Sequence, residues 1–174
     1  MTDRQPTAVK NLDRYGDPPL EWSRVHDQVA GDYMRKDMGQ FLSTTDPDGA
    51  PHSAAVGGAW MDGDLYFTSS PAARKARNLE AHPQAAMSMF LEGIHAVFEG
   101  DVSRVTDKAT LEKLAATYNE GGWPVKVEGD AFTAPYSAPS AGPPPWNLYR
   151  LRFHTVFGVA TEEPNGATKW TFDG

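Results

Sequence analysis

Two turn signals, Asp46-Pro47-Asp48-Gly49 and Asp62-Gly63, lie between short runs of apolar and β-branched residues, and they constrain this chain more than any other feature. Asp-Gly at a two-residue loop is the strongest short-range mark of a hairpin, because the turn needs positive φ at both central residues. Gln40–Thr45, Pro51–Trp60 and Leu65–Thr68 are therefore expected as strands of an antiparallel meander, not of a parallel α/β sheet. The run Ala54-Ala55-Val56-Gly57-Gly58-Ala59 is unusually small for strand residues. Such residues let a backbone approach a flat ligand or another strand, and Gly57-Gly58 fits a bulge or barrel corner equally well. Ala85–Leu91, Ala96–Val105, Trp146–Phe153, Thr155–Val159 and Thr168–Phe172 read as further strands. About eight short antiparallel strands with tight turns favour a closed barrel, which leaves no exposed edge.

Helical spacing marks the segments between strands. Ser23 is placed to cap a helix over Arg24–Lys36, whose Val25, Val29, Ala30 and Tyr33 form one apolar face that suits packing against a barrel end. Asp107 caps a helix to about Glu120, with Leu111, Leu114, Ala115 and Tyr118 on one side. The helix after Leu65–Thr68 is the one that points to chemistry. Ser70 stands as its N-cap, Pro71 as its first residue, and Arg74, Lys75, Arg77 and Asn78 fill its first turns. Free N–H groups and a partial positive charge at such an end suit a phosphate. Cations there oppose the helix dipole unless an anion answers them.

Composition works by exclusion. A chain of 174 residues and 19.0 kDa fits one domain with a proper core. A net charge of −7 argues against non-specific binding to nucleic acid or anionic membrane, and it makes the Arg74–Arg77 cluster stand out. With no cysteine, thiolate chemistry is excluded, and the five histidines are too scattered to suggest a metal site. No nucleophilic elbow, P-loop or dinucleotide fingerprint is present, so any enzymatic activity is expected to rest on a bound cofactor. No apolar run approaches the ~20 residues of a membrane span, and Met1 begins no apolar signal segment, so a cytoplasmic location is expected. Met1–Leu20 is polar and holds three prolines, which reads as a flexible tail or an arm across a neighbour, leaving residues 21–174 as the domain. Gly121–Pro145 holds six of the fourteen prolines with Trp123, Phe132 and Tyr136 interspersed, the make-up of a lid or subunit-crossing loop.

Several segments together resemble the pyridoxamine 5′-phosphate oxidase-like, flavin-binding split β-barrel family: Gly39–Thr44, Gly49–Val56, Leu65–Ser69 and Lys75–Pro83 with its Lys-x-x-Asn-Leu-x-x-x-Pro pattern. Pro145–Leu151 and Ala167-Thr168-Lys169-Trp170-Thr171-Phe172 look like the branch that binds the deazaflavin F420. The resemblance implies a homodimer of split barrels with cofactor sites in the clefts between subunits. Carried onto this chain, it implies that Lys75, Arg77 and Asn78, joined by Arg74, grip the cofactor phosphate and tail. Thr68, Ser69 and Ser70 would add donors, and His52, Ser53, Ala54, Ala55 and Val56 would lie beside the ring. Lys169 and Trp170 match a strand that approaches the cleft.

The expected function is an F420-dependent reductase that passes hydride to an electron-poor acceptor such as an enone or quinone, with Tyr118 or Tyr136 available to polarise it. Two alternatives stand beside it. One is an FMN-dependent oxidase or reductase of the same fold, and the other a non-catalytic protein that binds F420 or another ligand. The cofactors distinguish themselves by grip: FMN needs one phosphate held, whereas F420 needs cations along its tail.

Overall fold

A computed structural model describes residues 3–32 and 39–174. Its strands are β1 (Ala8–Asn11), β2 (Gln40–Thr45), β3 (Pro51–Val56), β4 (Gly58–Met61), β5 (Asp64–Ser69), β6 (Gln84–Leu91), β7 (Ile94–Val105), β8 (Lys126–Glu128), β9 (Ala131–Thr133), β10 (Asn147–Ala160) and β11 (Ala167–Thr171). The helices are α1 (Ser23–Val29), α2 (Arg74–Ala81) and α3 (Lys108–Glu120). All pairings are antiparallel, in the order β1-β11-β10-β7-β6-β2-β3, with β5 joining β10 to β4. Because β3 and β4 are one chain bent at Gly57, the sheet returns on itself as a barrel. The fold is a mainly β split barrel with flanking helices.

The split is made by β10. Asn147–Leu151 pairs with β5 and Thr155–Val159 with β11, while β7 runs beside both halves. The register shifts between Phe153 and Thr155, so His154 is a bulge where one long strand changes partners. Sequence reading expected two strands here; the bulge turns them into one. Gly100 lies across from Phe153 at this point, where an added Cβ would stand 2.1 Å from the Arg152 carbonyl oxygen. The barrel interior holds Leu42, Phe67, Met87, Phe98, Phe153 and Trp170. A second cluster, including Tyr66, Leu111, Leu114, Phe132 and Leu148, packs α3 and the β9 region on the outside of β5 and β10. That is why β5 is buried on both faces: Leu65 and Phe67 point inward and Tyr66 outward to α3.

Other expectations need correction. Residues 1–20 are expected as a flexible tail or an arm across a neighbour, yet Ala8–Asn11 extends the sheet of its own chain by pairing with β11. Arg4 Nη1 lies 3.1 Å from Asp64 Oδ1 and donates to the Phe153 carbonyl at 2.8 Å, so this segment lies along its own barrel. The first helix ends at Val29, and its expected continuation through Tyr33 to Lys36 falls outside the described residues. Trp22, not Ser23, holds the N-cap position, without a side-chain hydrogen bond. The third helix keeps its expected cap, with Asp107 accepting from the Thr110 N–H. The expected Gly121–Pro145 loop contains the β8–β9 hairpin. Among the described residues no helix is long and apolar enough to cross a membrane.

Candidate functional site

A cleft of about 550 Å³ opens where β3 turns into β4. Its floor is the backbone from Ala55 to Trp60, the run of small residues. Gly57 faces open space, since an added Cβ there would meet nothing within 4 Å. Where strands diverge, backbone groups lose their ladder partners. Side chains take them here: the Gly58 N–H donates to Gln40 Oε1 at 3.1 Å, and Tyr118 Oη donates to the Gly57 carbonyl at 3.1 Å.

One wall is the junction of β5 and α2, which supplies Thr68, Ser69, Ser70, Ala73 and Lys75. Here the expected helix start is corrected. Residues 70–73 form a turn, with the Ala73 N–H bonded to the Ser70 carbonyl and the Ala72 N–H to Ser70 Oγ, so α2 begins at Arg74. Ala73 gives α2 no side-chain cap and its first turn holds no acid, which leaves first-turn N–H groups available to an anion. The Lys75 ammonium is half-buried at this wall. Among the described residues no carboxylate answers it, and burial holds its pKa below the usual lysine value.

The other cations of α2 are committed elsewhere. Arg74 Nη2 lies 3.3 Å from Asp46 Oδ2 in the β2–β3 turn, and Arg77 donates to the Ala72 carbonyl. Asp46 is itself held below the usual carboxylate range, chiefly by the Ala50 N–H and further by Arg74. Asn78 is buried and donates to Thr44 Oγ1 at 3.0 Å, fastening α2 to the barrel instead of facing the cleft.

The opposite wall is aromatic. The end of α3 brings Tyr118, the following residues bring Trp123, and Trp146 closes the base, while Tyr136 to Ala141 lie over the top. Burial holds the Tyr118 phenol well above its ordinary pKa, so it remains protonated and donating. Trp60 stacks on Phe153 at 5.8 Å and connects the floor to the core. Val29, Ala30 and Gly31 complete the rim.

Of the expected site residues, Ala55, Val56, Thr68, Ser69, Ser70 and Lys75 line this cleft together. His52, Ser53 and Ala54 lie further along β3, with Ser53 Oγ 3.3 Å from Ser43 Oγ, and are not among the lining residues. Trp170 is not among the lining residues either. It is fully enclosed in the barrel, 5.5 Å from Trp22, and cannot approach the cleft. Lys169 points to the other face of β11, its Nζ over the Phe157 ring at 5.7 Å, and does not line the cleft either. The aromatic wall was the part least visible in sequence; its one signal was the clustering of Trp123 and Tyr136 in a proline-rich loop.

The sequence profile of pyridoxamine 5′-phosphate oxidase matches residues 39–160, from the start of β2 to the end of β10. The chain belongs to the pyridoxamine 5′-phosphate oxidase family. Solved structures similar to this family member include a pyridoxamine 5′-phosphate oxidase-related, FMN-binding protein from Nostoc punctiforme, at 15% identity and TM-score 0.54 over 89% of this chain and 98% of that one. PhzG from Burkholderia lata, in complex with tetrahydrophenazine-1-carboxylic acid, aligns at 17% identity and TM-score 0.54 over 91% and 94% of the two chains. An F420 reductase aligns at 25% identity and TM-score 0.49 over 71% of this chain and 91% of its own. At the first two identities the likeness concerns the fold. No curated protein matches this chain.

The cleft suits the cofactors associated with this fold. A lone ammonium, an uncapped helix start and three hydroxyls meet the needs of a phosphate, and a small-residue floor beside an aromatic wall suits a planar ring.

Proposed function

We propose that this protein is an F420-dependent reductase whose cleft also admits an electron-poor organic acceptor such as an enone or quinone. The observation that carries the reading is Lys75, a half-buried ammonium without a carboxylate partner among the described residues, set where an uncapped helix meets three hydroxyl side chains. A protein tolerates such a charge where a ligand completes it. Lys75 and the α2 N–H groups would hold the phosphate, with Thr68, Ser69 and Ser70 beside them, and Arg74, on exchanging its surface contact with Asp46, would meet an anionic tail. Ala55 and Val56 would lie along the ring. The reduced deazaflavin, when bound, supplies hydride from carbon. The chain's task is to position: the small-residue floor and the wall of Tyr118, Trp123 and Trp146 hold two planar molecules face to face and exclude water.

FMN is the second reading, and one observation favours it. Lys75 is the α2 cation that lines the cleft, while Arg74 and Arg77 are engaged with Asp46 and Ala72. A single grip matches a single phosphate. Fluorescence titration of the purified protein with F420 and, separately, FMN decides between them: micromolar F420 binding with FMN far weaker is expected, and the reverse order moves the protein to the flavin reading. Tight binding without turnover on a panel of enones and quinones would leave a cofactor-binding protein instead of a reductase.

The protein is further proposed to be a homodimer in the cytoplasm. The outward face of β2 and β6 exposes Phe41 and Phe90, 40% and 54% accessible, beside the Ala55 that also lines the cleft. Light scattering showing a monomer at micromolar concentration would end that proposal.

A further inference from the structure

The aromatic side of the cleft is covered by the loop between β9 and β10, residues 134–146. Its two ends are held together by reciprocal backbone hydrogen bonds between Phe132 and Trp146, at 2.8 and 2.9 Å. Its middle lines the cleft opposite the bend through Ser137, Ala138, Ser140 and Ala141. Inside the loop the Ala141 N–H donates to the Ala138 carbonyl at 2.9 Å, which folds the tip into a turn of its own. Its flank is fastened by a crossed pair. Trp123 Nε1 donates to the Tyr136 carbonyl at 2.7 Å, and Tyr136 Oη donates back to the Gly122 carbonyl at 3.0 Å.

The two members of that pair differ in support. The Trp123 ring is set between Tyr118 at 5.3 Å and Trp146 at 5.6 Å, and Tyr118 is bonded to the cleft floor. Tyr136 is 57% exposed and is held through its hydrogen bonds. One is a fixed post and the other a movable bar. Both bonds are neutral and lie at the solvent edge, where water replaces them when they part, so each is modest in strength. Pinned ends, a self-folded tip and a weak lateral fastening are the features of a segment that opens locally while the domain stays folded.

We propose that Trp123 and Tyr136 form the latch of a lid, residues 134–145, whose release uncovers the aromatic side of the cleft and so controls which molecules enter and how fast. Control of ligand entry rests on the reading of the cleft as a cofactor and acceptor site; the latch itself does not.

Two measurements on the full chain test it. Elastase cuts after small residues, and the Ala141–Gly142 bond is the same in wild type and variants. Tyr136→Phe, which removes one bond and keeps the ring, is expected to raise the rate of nicking at Ala141–Gly142 by about five- to tenfold, since cleavage follows the open population. Trp123→Phe, which removes the other bond, is expected to do the same. Unchanged nicking in both variants overturns the latch, as does accelerated cutting spread through α3 and β10. Stopped-flow binding of F420 and of FMN then tests control of entry. Association and dissociation are both expected to rise in Tyr136→Phe by the same factor as the nicking, leaving affinity within about twofold because the latch opens on both paths. Faster nicking with unchanged flavin rates overturns the lid. If neither flavin binds, the proposed cofactor reading fails, and the nicking rates alone decide the latch.

Discussion

Replacing Lys75 with methionine should move two properties in opposite directions, which few site substitutions do. Methionine matches the length of the lysine stem and removes only the charge. In the free protein that charge is half-buried, without a carboxylate among the described residues, and burial alone lowers its pKa. Removing it should therefore cost no stability; after allowance for screening by the nearby solvent, a gain of ~0–1 kcal/mol is expected, up to ~4 °C in Tm for a chain of this size. In the complex the same ammonium would make a charge-assisted hydrogen bond to phosphate, so its loss should weaken F420 binding by ~1.5–3 kcal/mol, about 10- to 150-fold. Arg77→Met serves as the comparison. Its guanidinium is occupied with the Ala72 carbonyl, so it should cost clearly less affinity than Lys75. The pH dependence follows the same sign. An anion raises the pKa of a lysine it contacts, so affinity should be complete below the lowered Lys75 pKa of the free protein and fall as pH rises through it. The assays are thermal denaturation without ligand and fluorescence titration with F420. A Lys75→Met protein that is markedly less stable and binds F420 unchanged would refute the reasoning, because the charge would then be structural.

Three further outcomes are expected. Arg4→Ala should destabilise the protein by ~2–4 kcal/mol in urea denaturation, because Asp64, with its side chain 8% exposed, is left among the described residues with Arg150 at 3.8 Å; Asp64→Asn added to it should cost less than the sum. Burial works against charge on His26, but hydrogen bonds to Asp27 and Asp3 outweigh it and raise its pKa. That contribution to stability is complete below the unfolded pKa of ~6.5 and lost as pH rises through the raised folded value, and His26→Gln should remove the slope from a stability–pH profile. Trp170→Ala should cost ~3–5 kcal/mol as a core deletion, whereas folded Trp170→Phe should keep its F420 affinity within about twofold; a tenfold loss by titration would return Trp170 to the cleft.

What the sequence revealed and what it hid divide along a physical line. Turns carry their own chemistry, so Asp46–Gly49 and Asp62-Gly63 placed β2, β3 and β5, and Asp107 placed the start of α3. Features that depend on distant partners did not show. Ala8–Asn11 is four residues long and exposed along its length, and it becomes a strand where β11 offers it an edge. Trp170 is a different case. Neighbouring residues on a strand point to opposite faces, so Lys169 and Trp170 could never have shared a cleft. Thr168, Trp170 and Phe172 alternate as the buried set, a period-two pattern that the sequence itself carries.

The bend at Gly57 explains why the cleft stands where it does. Closing the barrel requires the strand from Pro51 to Met61 to leave β2 and join β5, and no neighbouring strand can follow it through the corner. Two peptide groups are then left for side chains, Gln40 from β2 and Tyr118 from α3. Small residues are needed at that corner for the backbone to turn, and the same smallness leaves space above it. A Cβ at Gly57 would meet nothing within 4 Å and would stand in that space, while Gly58 is buried and gives its N–H to Gln40 at the corner itself. The barrel's closure and its ligand space therefore come from one requirement. The cation that faces that space belongs to α2, which Asn78 ties to Thr44 on β2. Floor and grip are thus both fixed to β2, Tyr118 ties α3 to the same floor, and the loop after β9 is the side left to move.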